Sequence, residues 1–422
     1  MTNPASLGAI DARRLIARKQ LSPVELAEAC IAQVETLDHA VNALIARDFD
    51  GMLEGAKKAE TAVMSGAPLG ALHGLPFTVK DMIDVTGLPT TFGSEAFANN
   101  IATGDDAIVA AMRAAGGLPM GKTNTPEWSA GGNTRNRVNG VTANPYDLTR
   151  TCAGSSGGSA VALACDYAPL ATGSDTGGSL RNPAAYCGIV GYRPSPGVVP
   201  GNTRAAGLIP MPTSGPMARS VADAGLMLSV LARPDRNDPF TTVIDGQTPW
   251  NAASFANLPR RDLTSLRIAV TEDYGFAPTE RLIRNHFRAI LPKLAPFMGD
   301  MIEATPDCTD ADRIFSVLRG VQFLGVHAKL YDETPDQVGP NVAENVREGR
   351  SYSAEDVAQA IFAQGRYHRD WQAFFETHDF IISPAVTISP RPWRELYPTE
   401  IDGTPTKSYY HWLAMAYAST IP

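Results

Sequence analysis

The chain has 422 residues, 44% hydrophobic and 19% charged, with 37 Gly and 32 Pro, the balance of a folded protein with many ordered turns and a sizeable core. With 36 Lys and Arg against 44 Asp and Glu the formal charge is −8, and no run of basic residues is present to neutralise a polyanion, which argues against a nucleic-acid partner. No stretch of about 18 apolar residues occurs, and Met1–Ile10 lacks a basic start followed by an apolar run, so neither a membrane span nor a secretory leader is expected.

In chain order, Ser22-Pro23-Val24-Glu25 predicts a helix start: Ser22 caps, Pro23 takes the first helical position and Glu25 reaches back to the cap. Val24, Leu26, Ala27, Ile31 and Val34 give that helix an apolar face. A strand is expected over Leu75–Val79 and a helix over Asp105–Ala115, ended by Gly116-Gly117. From about Leu75 to Pro200, short apolar runs alternate with glycine- and serine-dense turns and with small-residue helices such as Ser159–Cys165; Leu170–Gly173 reads as another strand. Such strands carry functional loops at their ends. Further helices are expected near Val221–Leu231, Thr279–Phe297, Asp310–Tyr331 and Ser353–Phe375, and strands near Leu266–Val270 and Phe380–Ser383. The polar stretch Arg233–Arg261 is the one linker candidate, and a single α/β domain is the expectation. Cys30, Cys152, Cys165, Cys187 and Cys308 are scattered, odd in number and never spaced Cys-x-x-Cys. They read as reduced, mostly buried thiols of a cytoplasmic protein, with no disulfide frame and no metal site.

Two clusters dominate: Gly154-Ser155-Ser156-Gly157-Gly158-Ser159 and Gly173-Ser174-Asp175-Thr176-Gly177-Gly178-Ser179-Leu180-Arg181. They are not flexible linkers, because the stretch between Ser159 and Gly173 is too apolar to be solvated. A run such as Thr176-Gly177-Gly178-Ser179 turns successive backbone N–H groups toward one point, an oxyanion nest. One well-aimed donor there is worth about 3 to 4 kcal/mol of transition-state stabilisation.

A serine nucleophile needs a base. Of His39, His73, His286, His327, His368, His378 and His411, only His73 lies near a plausible active loop, and a histidine in that setting is more often structural. No Gly-x-Ser-x-Gly elbow with a later Asp and His is evident. Lys80, after the apolar run Leu75–Val79 and before Asp81, is the better base; the alternative for a strand-end lysine is a solvated charge.

These clusters, with Val79-Lys80-Asp81 upstream, closely resemble the amidase signature family. The likeness extends through Gly121-Lys122-Thr123-Asn124-Thr125-Pro126-Glu127, Asn144-Pro145, Gly188–Pro194 and Ser214–Val221. It covers most of the chain from Ser22, strongly up to Asp223 and weakly after. The resemblance implies one amidase domain over 1–422 with its signature core at about 75–220, built on a twisted mixed β-sheet flanked on both faces by helices. It implies a Ser-Ser-Lys triad: Ser179 as nucleophile, Ser155 as a bridging serine on a cis peptide, and Lys80 as base. It further implies Thr176, Gly177, Gly178 and Ser179 as the oxyanion hole, and Asp175, Arg181 and Ser156 as supports. No cofactor and no metal are implied. The chain would form a Ser179 acyl-enzyme and cleave small-molecule carboxylic amides, with aryl amides, esters and carbamates open to the same chemistry, as a monomer or homodimer. The rival within the family is the glutaminase subunit of a tRNA-dependent amidotransferase, which works with a partner chain.

Two departures stand out. Cys152-Ala153 replaces the usual Pro-Gly before the glycine of the serine pair, and the sequence stops at Pro422, where relatives continue through a Gly-Leu-Pro-containing strand, so the expectation is either a sequence cut short or a lost edge of the sheet. Trp128, Ser129, Gly131 and Gly132 match the acyl-pocket wall; the two glycines either leave room for a bulky acyl group or make a turn. Gly116-Gly117-Leu118-Pro119-Met120-Gly121-Lys122-Thr123 fits the pattern of a nucleotide-binding phosphate loop. That reading needs a strand before and a helix after, whereas here a helix precedes and Asn124-Thr125-Pro126 blocks one after.

Overall fold

The chain opens with helices α1 (Ala9–Ala17) and α2 (Pro23–Val41) in the computed structural model, which describes residues 3–201 and 204–422. The α2 start is the expected capping box: Ser22 Oγ accepts from the Val24 N–H at 2.9 Å, and Glu25 Oε2 accepts from the Ser22 N–H at 3.0 Å. Next come β1 (Leu44–Arg47), α3 (Phe49–Ser65), β2 (Pro76–Lys80), α4 (Ala107–Ala114) and β3 (Leu118–Thr123). Two short hairpins follow, β4 (Arg135–Asn136) with β5 (Gly140–Val141) and β6 (Ala143–Asn144) with β7 (Asp147–Thr151). Then come α5 (Gly157–Ala164), β8 (Leu170–Asp175), α6 (Arg181–Cys187), β9 (Val190–Gly191), β10 (Thr213–Ala218) and α7 (Val221–Leu231).

Six of these strands form a mixed sheet in the order β1-β3-β2-β8-β10-β9. The central β3, β2 and β8 run parallel, and the outer pairs are antiparallel. Strand β2 is buried at every position, as a strand covered on both faces must be, which is why it reads as a near-continuous apolar run. Phe77, Val79, Leu170, Ala171 and Met217 join Ala160, Val161 and Leu163 of α5 in the core. Pairing of β2 with β8 is confined to Phe77–Leu170 and Thr78–Ala171; beyond it the Lys80 N–H turns to Thr172 Oγ1 at 3.0 Å. The two strands therefore part at their carboxyl ends, the position where parallel sheets open a crevice.

The look-alike phosphate loop is no loop: it contains strand β3. Pro119 and Gly121 hid the strand from propensity, yet Gly121 is required there, because a Cβ would lie 2.1 Å from the Ala46 carbonyl oxygen. Helix α5 begins with two glycines for the same reason. A Cβ on Gly157 would meet Thr134 Oγ1 at 2.2 Å, and one on Gly158 would meet the Asn124 nitrogen at 2.4 Å.

The chain divides into two compact units, Met1–Asp175 with Ser179–Leu258, and Thr176–Gly178 with Pro259–Pro422. The long boundary falls inside the polar stretch read as a linker. The second unit has a parallel three-stranded sheet, ordered β12 (Met301–Glu303), β11 (Ile268–Val270) and β13 (Phe380–Ile382). Its helices are α8 (Arg281–Leu294), α9 (Ala311–Glu333), α10 (Pro340–Ser351), α11 (Ala354–Phe375) and α12 (Ala414–Ala418), with a hairpin β14 (Glu400–Ile401) and β15 (Thr404–Pro405). Among the described residues no helix is long and apolar enough to cross a membrane, and the five cysteines are free thiols.

Gly158→Ala is expected to destabilise the protein by about 3 kcal/mol, since the added methyl meets backbone that cannot yield. Denaturant unfolding measures the effect, and an unchanged midpoint would show that α5 has slack at its first turn.

Candidate active site

Lys80 ends the buried strand β2, so its side chain enters the interior, fully buried. Its Nζ lies 2.7 Å from Ser155 Oγ and 2.9 Å from Ser174 Oγ. Burial disfavours the ammonium and pulls the lysine pKa down to about 7, against the opposing pull of Asp175. An amine in this setting is available in its neutral form near physiological pH.

The Gly154–Ser155 peptide bond is cis, as the resemblance implied. Ser155 is fully buried. Its neighbour Ser156 ties three segments together. The Ser156 N–H donates to the Ser179 carbonyl at 3.2 Å, while its hydroxyl accepts from the Ser174 N–H and donates to the Ser174 carbonyl, each at 3.3 Å. The lysine, the serine pair and the chain at Ser179 are thereby drawn to one place.

Asp175, buried at the end of β8, closes the following loop. Its Oδ2 accepts from the Leu180 N–H at 3.1 Å and from Arg181 Nε at 3.0 Å, and its Oδ1 accepts from Arg181 Nη2 at 2.9 Å. This two-pronged pair fixes position as well as charge. Arg193 adds a second cation: its Nη1 donates to the Asp175 carbonyl, lies 3.4 Å from Asp175 Oδ1 and donates to the Met211 carbonyl at 2.8 Å. Burial lowers the Arg193 pKa to about 10, with Asp175 opposing. Within the loop Gly178 has φ +108, a conformation that favours glycine. A Cβ on Gly177 would stand 2.7 Å from the Phe315 ring. Ser179 is half-buried.

Trp128 and Ser129 both adopt the left-handed region, at φ +50 and +57. The Trp128 ring stacks on Phe92, with centroids 4.4 Å apart, and meets Phe97 edge-on at 5.1 Å. The Gly131 carbonyl and the Gly132 backbone pack against Gly154, where a Cβ would meet them at 3.1 and 3.3 Å. On that side the two glycines serve close approach. His73 bonds the Ala59 carbonyl through Nε2 at 3.0 Å, a structural role. Ser174 and Arg193 were not singled out by the sequence; the signals were the serine beside Asp175 and the arginine in Gly191-Tyr192-Arg193-Pro194. Among the described residues no cluster of His, Cys, Asp and Glu is placed to hold a metal ion.

A profile of the family described as Amidase matches residues 25–421. The chain is 35% identical to an acylamidase of Rhodococcus erythropolis over 404 residues, covering 94% of this chain and 82% of that protein. It is also 35% identical to a glutamyl-tRNA(Gln) amidotransferase subunit of Salinispora tropica over 415 residues, covering 91% of this chain and 83% of that one. Among solved structures, a bacterial aryl acylamidase of the amidase signature enzymes superposes with a TM-score of 0.88 at 25% identity, covering 98% of this chain and 87% of the other.

Lys80 also leaves a mark on stability. Its native pKa lies near 7 and its ordinary value is 10.5, so between those limits the unfolded chain binds more protons and stability through this group rises with pH. Unfolding free energy should therefore climb more steeply from about pH 7 to about pH 9 in the wild type than in Lys80→Met. Parallel denaturant-derived curves would mean that burial does not depress this amine.

Proposed function

We propose, for a chain that belongs to the amidase family and hydrolyses carboxylic amides, that Ser179 is the nucleophile, Ser155 the relay and Lys80 the base. The 2.7 Å contact between the buried Lys80 amine and Ser155 Oγ carries this reading. Neutral Lys80 accepts the Ser155 proton as Ser155 accepts that of Ser179, and Ser179 Oγ bonds to the substrate carbonyl carbon. The carbonyl electron pair moves onto oxygen, where the N–H groups of Thr176, Gly177, Gly178 and Ser179 receive the developing charge. Collapse of the adduct breaks the C–N bond while Ser155 passes a proton to the departing nitrogen. Water then attacks the Ser179 ester by the same relay and releases the acid. Asp175, Arg181 and Ser156 hold the loop in register, and Trp128, Ser129, Gly131 and Gly132 wall the acyl pocket.

The substrates are small-molecule amides, aryl amides first, a choice supported by likeness to the acylamidases; esters and carbamates present the same carbonyl and leaving heteroatom. The free thiols support a cytoplasmic setting. Likeness to the glutamyl-tRNA(Gln) amidotransferase chain supports a second reading, release of ammonia from glutamine. Assay of the chain alone on an anilide and on glutamine separates the two: turnover of glutamine and not of the anilide selects the second.

Lys80→Ala should lower kcat/KM for an anilide by on the order of 10²–10⁴ with an unchanged circular dichroism spectrum, and Ser179→Ala should abolish the acyl-serine detected by mass spectrometry. In the wild type kcat/KM should rise with pH through about 7, as Lys80 loses its proton. A near-normal rate in Lys80→Ala would reject the scheme.

A further inference from the structure

Asp81 and Lys122 are both fully buried, and neither takes part in the chemistry above. Asp81 directly follows Lys80, and its N–H extends the sheet to the Thr123 carbonyl at 3.0 Å. Lys122 stands on the neighbouring strand β3, paired with Val79. Its Nζ lies 3.6 Å from Asp81 Oδ1 and donates to the Pro89 carbonyl at 3.0 Å and to Thr90 Oγ1 at 2.7 Å. The Asp81 carboxylate in turn accepts from the Thr91 N–H at 2.9 Å and from the Thr91 hydroxyl.

Both charges thus grip the segment 89–91. The next residue, Phe92, has φ +54, stacks on Trp128 and accepts the Trp128 N–H at 2.7 Å. Three residues past Trp128, the Gly131 backbone abuts Gly154 of the Gly154–Ser155 bond. A continuous path of contacts therefore joins the end of the lysine strand to the Phe92–Trp128 ring stack and to the serine pair. A buried ion pair adds little net stability over apolar side chains of similar size, so packing alone does not account for this one.

We propose that Lys122, with Asp81, is a positioning pair that sets the place of the Phe92–Trp128 wall and so determines which acyl groups the enzyme accepts. The lysine flagged by the phosphate-loop pattern is, on this reading, a specificity determinant of the amide reaction. Lys122 holds the wall from behind and touches no substrate atom. The role presupposes the Ser179 chemistry and the Trp128 side of the acyl pocket proposed above, and wild-type turnover of acetanilide tests that chemistry separately.

The test compares acetanilide with octanoyl anilide in the wild type, Lys122→Met, Thr90→Val and the double variant Asp81→Asn/Lys122→Met. Lys122→Met should raise KM for octanoyl anilide by roughly tenfold, leave acetanilide within about twofold, and leave the acid limb of the kcat/KM profile in place. That limb stays because Ser155, Ser174 and Asp175, the partners of Lys80, are untouched. The double variant strands no charge, which guards against a single variant that fails to fold, and it should show the same change. Thr90→Val, which loses one acceptor and no charge, should show it in smaller measure. A loss of kcat common to both anilides, or an unchanged ratio of the two KM values in the variants that fold, overturns the proposal.

Discussion

An amine held away from water with hydroxyl groups as its hydrogen-bond partners is the condition on which the rest of the site depends. Lys80 meets Ser155 and Ser174, and no salt bridge to it occurs among the described residues. A carboxylate at hydrogen-bond distance would stabilise the ammonium, raise its pKa and keep the amine protonated at neutral pH. Asp175 is near enough to be felt, but it is engaged by Arg181 and Arg193 and by the Leu180 N–H. The two arginines therefore have a double effect: they fix the loop that carries Ser179, and they engage the carboxylate that would otherwise hold Lys80 as the ammonium.

Much of this was legible in the chain. Ser22 and Glu25 announce a helix because a cap is a local bond between neighbours in sequence. The amidase signature resemblance, carried by a run of serines and glycines with a lysine upstream, located Lys80, Ser155, Asp175 and Arg181. What stayed hidden depends on long-range contact. Strand β3 carries a proline and a glycine that propensity reads as a loop, and its identity is decided by the Ala46 backbone pressed against Gly121. Helix α10 is rich in Asn and charged residues, and is held by burial of Val342, Asn345 and Val346.

Ser174 and Arg193 were missed for a related reason. The serine beside Asp175 and the arginine before Pro194 lie within the motifs that carry the resemblance, yet their partners are distant in sequence. Ser174 gains its partners where β8 meets Lys80 of β2 and Ser156, and Arg193 gains its own where the chain after β9 and the segment near Met211 meet at Asp175. The double glycine at the head of α5 teaches the converse. In sequence it suggests freedom, whereas in the fold it marks two backbones in contact, with no room for a methyl group.

Lys80 and the loop bearing Ser179 are carried by neighbouring parallel strands of one sheet. Spacing between such strands is about 4.8 Å and is among the least variable dimensions in protein architecture. Main-chain pairing sets the two strands side by side as far as Thr78 and Ala171, and beyond it Thr172 and Ser174 hold the Lys80 end to β8, so the frame does not depend on the side chains that recognise a particular molecule. The recognition surface is then free to drift, so a lineage built on this frame can adopt new nitrogen compounds one wall residue at a time while its bond-breaking apparatus stays in tune.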